Sequence, residues 1–171
     1  VAEFLDSLGE KKRHTAEKED LLFLGFGVHD QFYGLGIFAV KEILKIPEIF
    51  PVPKAPAFIK GIMDLRGTII PILDFKERLG FGSVDLAKGR VIVAVLNGKH
   101  LGLLVDSAEE VFHARVSEIK ASPEMFSRNQ NGFIQGMVHL KERMYLILNP
   151  GRLLTSSEKN TLESRTWTRG A

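Results

Sequence analysis

The chain has 171 residues, 44% of them hydrophobic and 26% charged, enough apolar material for one ordinary domain or two small ones. Lys and Arg number 23 against 21 Asp and Glu, a net charge of +2, so the concentrated basic face of a nucleic-acid binder is not expected. The absence of cysteine excludes disulfides, thiol catalysis and cysteine-ligated zinc, and no apolar run approaches the ~18 residues of a membrane-spanning helix.

Residues 1–20 are polar and mixed in charge, with Phe4, Leu5 and Leu8 at helical spacing, and read as an N-terminal arm or short helix. From Leu21 the character changes. "LLFLGFGV" predicts a strand, "HDQ" a turn and "FYGLGIFAV" a second strand. "IPEIFPVPKAP" holds four prolines and predicts an extended connector. "GIMDL" and "TIIPI" then flank Arg66-Gly67 as the arms of a hairpin, with Gly67 supplying the positive φ of the turn. Pro71 cannot donate to a ladder, so the second arm is expected at a sheet edge or at a bulge. Asp74 precedes "FKERLG" as a helix N-cap, with Glu77 in capping-box position and Gly80 placed to end the helix. "RVIVAVL", "NGK" and "HLGLLVD" predict another hairpin turning at Asn97-Gly98. After a further strand pair, Asn149-Pro150 is a second helix start, and residues 156–171 read as a C-terminal helix and tail. The class is mainly β.

The chain contains an internal repeat. "FIKGIMDLRGTIIPILDFKERL" from Phe58 and "FIQGMVHLKERMYLILNPGRLL" from Phe133 align without a gap at an offset of 75, with seven of 22 positions identical. Tyr33-Gly34-Leu35 falls on Leu101-Gly102-Leu103 at an offset of 68, leaving 75 − 68 = 7 inserted residues in the second copy. Both matched segments end in a cap, an acid in one and an amide followed by proline in the other. Two small β units result, about 21–88 and about 89–155, each of a size that closes as a five-stranded barrel.

No catalytic, cofactor or metal constellation is present. The five histidines show no H-x-x-x-H spacing, and there is no phosphate-binding loop or G-x-S-x-G elbow. The "GFG" at Gly25 lies within a strand and opens no helix. Asp64 belongs to a turn, Asp74 to a cap, and Asp106, Glu109 and Glu110 to a solvated acidic edge. The arms around Arg66 are apolar on both faces, however. One face fills a barrel. The other must cover a loop, the sister barrel or another protein, and an Arg beside such a surface is a natural interface anchor.

"APAFIKGIMDLRGTIIPILDFKERLG", "FYGLGIFAVKEIL" and "HLGLLVDSAEEV" together resemble the CheW family of bacterial chemotaxis coupling proteins, over about Leu21 to Thr155. The resemblance implies two SH3-like five-stranded β-barrel subdomains sharing a hydrophobic interface, with short helices after each barrel and near the C-terminus. It implies a non-enzymatic, cofactor-free adaptor that joins the cytoplasmic tips of methyl-accepting chemoreceptors to the regulatory domain of the histidine kinase CheA. Such a protein is cytoplasmic, at membrane-associated receptor arrays, without direct membrane insertion and without nucleic acid. The family's L-R-G motif falls on Arg66 and Gly67, and positions associated with receptor or kinase contact fall on Val40, Glu42, Val105 and Asp106. Asp64 stands where the family often has Asn, as an internal competitor for Arg66. Alternative readings are a detached CheW-like regulatory domain of a kinase or adaptor-receiver fusion, and an adaptor of pilus-motility or other chemosensory pathways.

Overall fold

The computed structural model describes residues 20–121 and 132–154. The expected C-terminal helix and tail, and the N-terminal arm up to residue 19, lie outside the described residues. In chain order the strands are β1 (Asp20–Val28), β2 (Gln31–Gly36), β3 (Val40–Lys45), β4 (Ile59–Leu65), β5 (Thr68–Asp74), β6 (Arg90–Leu96), β7 (Lys99–Val105), β8 (Ser107–Arg115), β9 (Lys120–Ala121), β10 (Ile134–Leu140) and β11 (Arg143–Leu148). A helix of one turn, α1 (Phe75–Arg78), follows β5, and 3-10 turns cover Ile37–Ala39, Val116–Glu118 and Pro150–Arg152.

Among the described residues, four two-residue turns have positive φ at both positions: His29-Asp30, Arg66-Gly67, Asn97-Gly98 and Lys141-Glu142. That backbone matches the twist of the flanking strands, so each joins a tight antiparallel hairpin. The expected hairpins at Arg66-Gly67 and Asn97-Gly98 close at Leu65↔Thr68 and Leu96↔Lys99.

The strands form two sheets. Sheet A has the order β8-β1-β2-β11-β10-β9, and sheet B the order β3-β6-β7-β5-β4. This corrects the division expected near residue 88. The hairpin β1-β2 of the first repeat pairs with β8 and β11 of the second, and β6-β7 of the second pairs with β3 and β5 of the first. The repeats thus exchange their leading hairpins, and sheet A has six strands because the two-residue β9 adds to its edge.

The exchange respects the repeat to the residue. Ile72 pairs with Gly102 and Ile147 with Gly34, and 147 − 72 = 75 while 102 − 34 = 68. A Cβ at Gly102 would stand 2.6 Å from Ile72 Cδ1, and one at Gly34 would stand 2.8 Å from Ile147 Cδ1. Each glycine makes room for the isoleucine of the parallel strand beside it.

The same device brings the edges of each sheet together. After β3, at one edge of sheet B, the chain crosses so that Phe50 bonds both ways with Ile62 on β4, at the other edge (2.8 and 2.9 Å). After β8, at one edge of sheet A, the chain crosses through Val116–Glu118, and β9 pairs with β10. The sheets curl, and each wraps its own apolar interior. Met63, Ile70, Ile72, Val91, Val93 and Leu104 fill sheet B, while Phe23, Phe112, Val138, Tyr145 and Ile147 fill sheet A. A third, larger cluster lies between the sheets and includes Phe26, Leu35, Leu73, Phe75, Leu103, Phe133 and Leu148. On the surplus apolar face of the β5 arm, Leu73 packs in this inter-sheet cluster while Ile69 and Pro71 stay half-buried, and full burial contributes roughly 1.5–3 kcal/mol per large side chain.

The caps also follow the repeat. Asp74 Oδ1 accepts from Glu77 N–H at 3.1 Å, and Asn149 Oδ1 accepts from Gly151 N–H at 3.0 Å. The backbone N–H groups of both cap residues donate back to Phe58 and Phe133, each at 2.7 Å. The capping box itself is not closed. With Asp74 N–H donating to Phe58, the Glu77 carboxylate turns instead to Lys60 and Ser83, and these hydrogen bonds hold it below the ordinary carboxylate range. Gly80 (φ +85) ends α1 as expected, with Gly80 N–H donating to Glu77 and Phe81 N–H to Lys76.

Pro71 also departs from expectation, because β5 is an inner strand. Ile62 opposite it spends both backbone groups on Phe50, so the missing N–H faces β7, whose ladder begins only at Ile72. No partner is lost.

Candidate functional site

β3 is an edge strand with alternating exposure. Lys41, Ile43 and Lys45 are exposed, while Val40, Glu42 and Leu44 are half-buried. A register shift between Val40 and Glu42 bends the strand there. The Glu42 carboxylate pairs with the Arg66 guanidinium, whose side chain remains 67% exposed. The register row through Glu42 runs to Val93, Gly102, Ile72 and Gly61. It returns on β4 five residues before Arg66, so the ion pair ties together two sheet edges that meet with a stagger, as closing sheets do.

The β4-β5 turn fixes Arg66. Asp64 Oδ1 accepts from Gly67 N–H at 2.8 Å, which ties Asp64 to the turn backbone, while the Arg66 side chain extends to Glu42. Arg66 itself has φ +49, a backbone state that costs a non-glycine residue roughly 1–2 kcal/mol. On the same two sheet edges, Ile43 of β3 is 40% exposed, and Phe50, bonded to Ile62 of β4, is 48% exposed. Lys41 Nζ lies 3.3 Å from His100 Nε2. The seam of sheet B is thus a mixed surface: one half-buried acid, one exposed guanidinium, two exposed apolar side chains and a lysine.

The six residues named from sequence separate into two groups. Val40, Glu42, Arg66 and Gly67 lie on the edge and turn just described. Val105 and Asp106 lie at the far end of β7. Parallel pairing aligns Thr68 with Gly98, and Asp106 is eight residues further on, about 26 Å along the strand. Val105 is fully buried in the inter-sheet cluster, so its side chain is withheld from any partner docking on this surface. Asp106 Oδ2 accepts from His29 N–H at 2.9 Å and meets Lys76 Nζ at 3.3 Å. His29 in turn stacks on Phe81, ring centroids 4.0 Å apart. Asp106 therefore clasps the β1-β2 turn of sheet A to α1 beyond sheet B. Sequence reasoning passed over Ile43 and Phe50. The alternation in "VKEILK" carries a signal for Ile43, which shares a face with Lys41 and Lys45, whereas Phe50 sits in a connector with no period.

Among the described residues no cluster of three or more His, Asp or Glu is placed to hold a metal ion, and no helix is long and apolar enough to cross a membrane. What the seam offers is a partly apolar surface with an exposed cation paired to Glu42.

Comparison with known proteins agrees with this character. Residues 22–158 match the family model for the CheW-like domain. The chemotaxis protein CheW of Rhizobium meliloti is 31% identical over 80% of this chain and 88% of that protein. The chemotaxis protein CheW of Treponema pallidum is 29% identical over 84% and 88%. Among solved structures, the crystal structure of scaffolding protein TtCheW from Thermoanaerobacter tengcongensis superposes with a TM-score of 0.70 at 32% identity, covering 76% of this chain and 89% of that one.

Proposed function

The chain belongs to the CheW-like domain family, and from that premise we propose that it is a chemotaxis scaffold that couples cytoplasmic chemoreceptor tips to the regulatory domain of the histidine kinase CheA. It works by binding and not by turnover. The observation that carries this reading is the seam of sheet B, where the exposed Arg66 guanidinium is paired with Glu42 and the same two sheet edges expose Ile43 and Phe50. An adaptor needs such an anchor: a guanidinium oriented at little entropic cost, next to apolar area that a partner can cover. The protein acts on the cytoplasmic face of membrane-associated arrays. There, single contacts are weak and repetition of the array supplies avidity. Receptor state then biases which arrangement of adaptor and kinase is populated.

The test pairs Arg66→Ala with two measurements. A thermal melt is expected to stay within about 1 kcal/mol of the parent, since the ion pair is largely exposed. Coprecipitation with CheA and with a receptor cytoplasmic fragment is expected to weaken for at least one partner. Undiminished capture of both by an intact variant overturns the assignment of this surface.

A further inference from the structure

The seam of sheet B has a counterpart in sheet A, and the register identifies it residue by residue. Ile43 pairs with Ile92 and Val111 with Leu24, and 92 − 24 = 68 = 111 − 43. Glu42 and Ile43 therefore correspond to Glu110 and Val111 on β8. Across the seam, Arg66 corresponds to Lys141 at the offset of 75. The sequence pattern of an acid, an exposed aliphatic residue and a turn cation is thus present twice.

The two seams differ in how they are closed. In sheet B, the carboxylate of Glu42 sits on Arg66. In sheet A a solvent-open groove separates the equivalent walls, lined by Glu110, Val111, Leu140, Lys141, Arg143 and Tyr145 among others. Among the described residues no carboxylate is paired with Lys141. Arg143 is fixed at the rim, over the Phe32 ring at 4.2 Å and 4.0 Å from Glu109. Val111 is 49% exposed. β8 ends the sheet order, and β9 pairs with β10 only at Gly136 and Met137. Among the described residues, no strand lies between the outer edge of β8 and the Val138–Leu140 stretch of β10, and both face the groove.

We infer that this open seam is a docking site for an extended peptide segment of a partner protein, one that carries a carboxylate beside an aliphatic side chain. The carboxylate takes the place at Lys141 and Arg143 that Glu42 fills in the other sheet. The aliphatic side chain covers Val111 and Leu140, and the backbone extends the β8 edge, a recognition mode that uses main-chain hydrogen bonds for affinity and side chains for choice. The site is separate from the Arg66 surface and stands without it.

The probe is a synthetic acetyl-Val-Glu-Val-Glu-Val-amide, titrated into the full-length protein labelled with 15N, with acetyl-Val-Lys-Val-Lys-Val-amide as the comparison. Amide shifts are expected at 110–113 and 140–145 for the glutamate peptide, with the lysine peptide weaker. Lys141→Gln is expected to weaken binding about threefold, as the loss of one exposed charge pair does. Lys141→Glu with Arg143→Glu should abolish it, and the single Lys141→Gln change, on an exposed turn, serves if that double variant does not fold. Arg66→Ala is expected to leave this titration unchanged, so the two surfaces fail or stand separately. Absence of shifts at these amides, equal response to both peptides, or shifts centred on β3 and Arg66 overturns the inference.

Discussion

Gly61→Ala tests the closure of sheet B most sharply, because two glycines a few residues apart isolate its causes. Gly61 has φ +145, and an added Cβ would stand 2.1 Å from the carbonyl oxygen of Phe50. No rotamer relieves that clash, since the obstacle is backbone. The variant must displace the Phe50 segment and lose its two hydrogen bonds to Ile62, each worth about 1 kcal/mol net. A strained φ adds about 1–3 kcal/mol. The expected total is about 3–5 kcal/mol. Gly67→Ala shares the positive φ, at +92, but its Cβ would meet nothing within 4 Å. Its expected cost is the backbone term alone, about 1–2 kcal/mol. Urea unfolding of both variants, followed by fluorescence or circular dichroism, gives the two values. An NMR spectrum of Gly61→Ala should also show the Phe50 and Ile62 amides moving most. If Gly61→Ala costs no more than Gly67→Ala, the close approach of Phe50 to β4 is not what holds this seam, and the account of edge closure fails.

Replacing Lys141-Glu142 by Asn-Gly should stabilise the protein by about 1–2 kcal/mol, because both residues sit at positive φ where Asn and Gly are favoured; a thermal melt raised by a few degrees checks it. Asp74→Asn keeps an acceptor for Glu77 N–H but turns an amide donor toward Val84 N–H, now bonded to Oδ2 at 3.0 Å, and should cost about 1–3 kcal/mol at neutral pH. Burial raises the Asp74 carboxyl above its ordinary value of 3.8, opposed by those two N–H bonds. A raised folded value means that the folded state holds the proton more tightly, so this contribution is full below about pH 4 and is lost as pH rises through the folded value. The gap between parent and Asp74→Asn should therefore widen toward pH 3 in denaturant titrations, and a gap that narrows there refutes the assignment. Asp106→Asn should lower stability by about 1 kcal/mol through the Lys76 and His29 contacts while coprecipitation with CheA and receptor stays at parental level.

How much of this was legible in the sequence follows from what each residue signals locally. The hairpins at Arg66-Gly67 and Asn97-Gly98, the caps at Asp74 and Asn149 and the repeat itself are encoded in short-range chemistry, and the structure has all of them. The hairpin exchange is not. Both copies carry the same glycine on the second strand and the same isoleucine on the last, so Gly34 would fit Ile72 as well as Ile147 by pattern. Only the assembled structure shows the pairing, with both exchanged hairpins contributing to the inter-sheet cluster. The Glu42–Arg66 pair was hidden for a related reason. It spans 24 residues and two edges of a curled sheet, whereas Asp64, two residues from Arg66, was the nearer carboxylate in sequence. Gly67 N–H bonds Asp64 within the turn, while the arginine reaches Glu42 across the seam. The same hairpin geometry in the second copy carries Lys141-Glu142, with no such Asx contact at its start, since His139 stands where Asp64 does. One backbone design thus supports two chemically different seams, one with a carboxylate on its turn cation and one where, among the described residues, no carboxylate meets it.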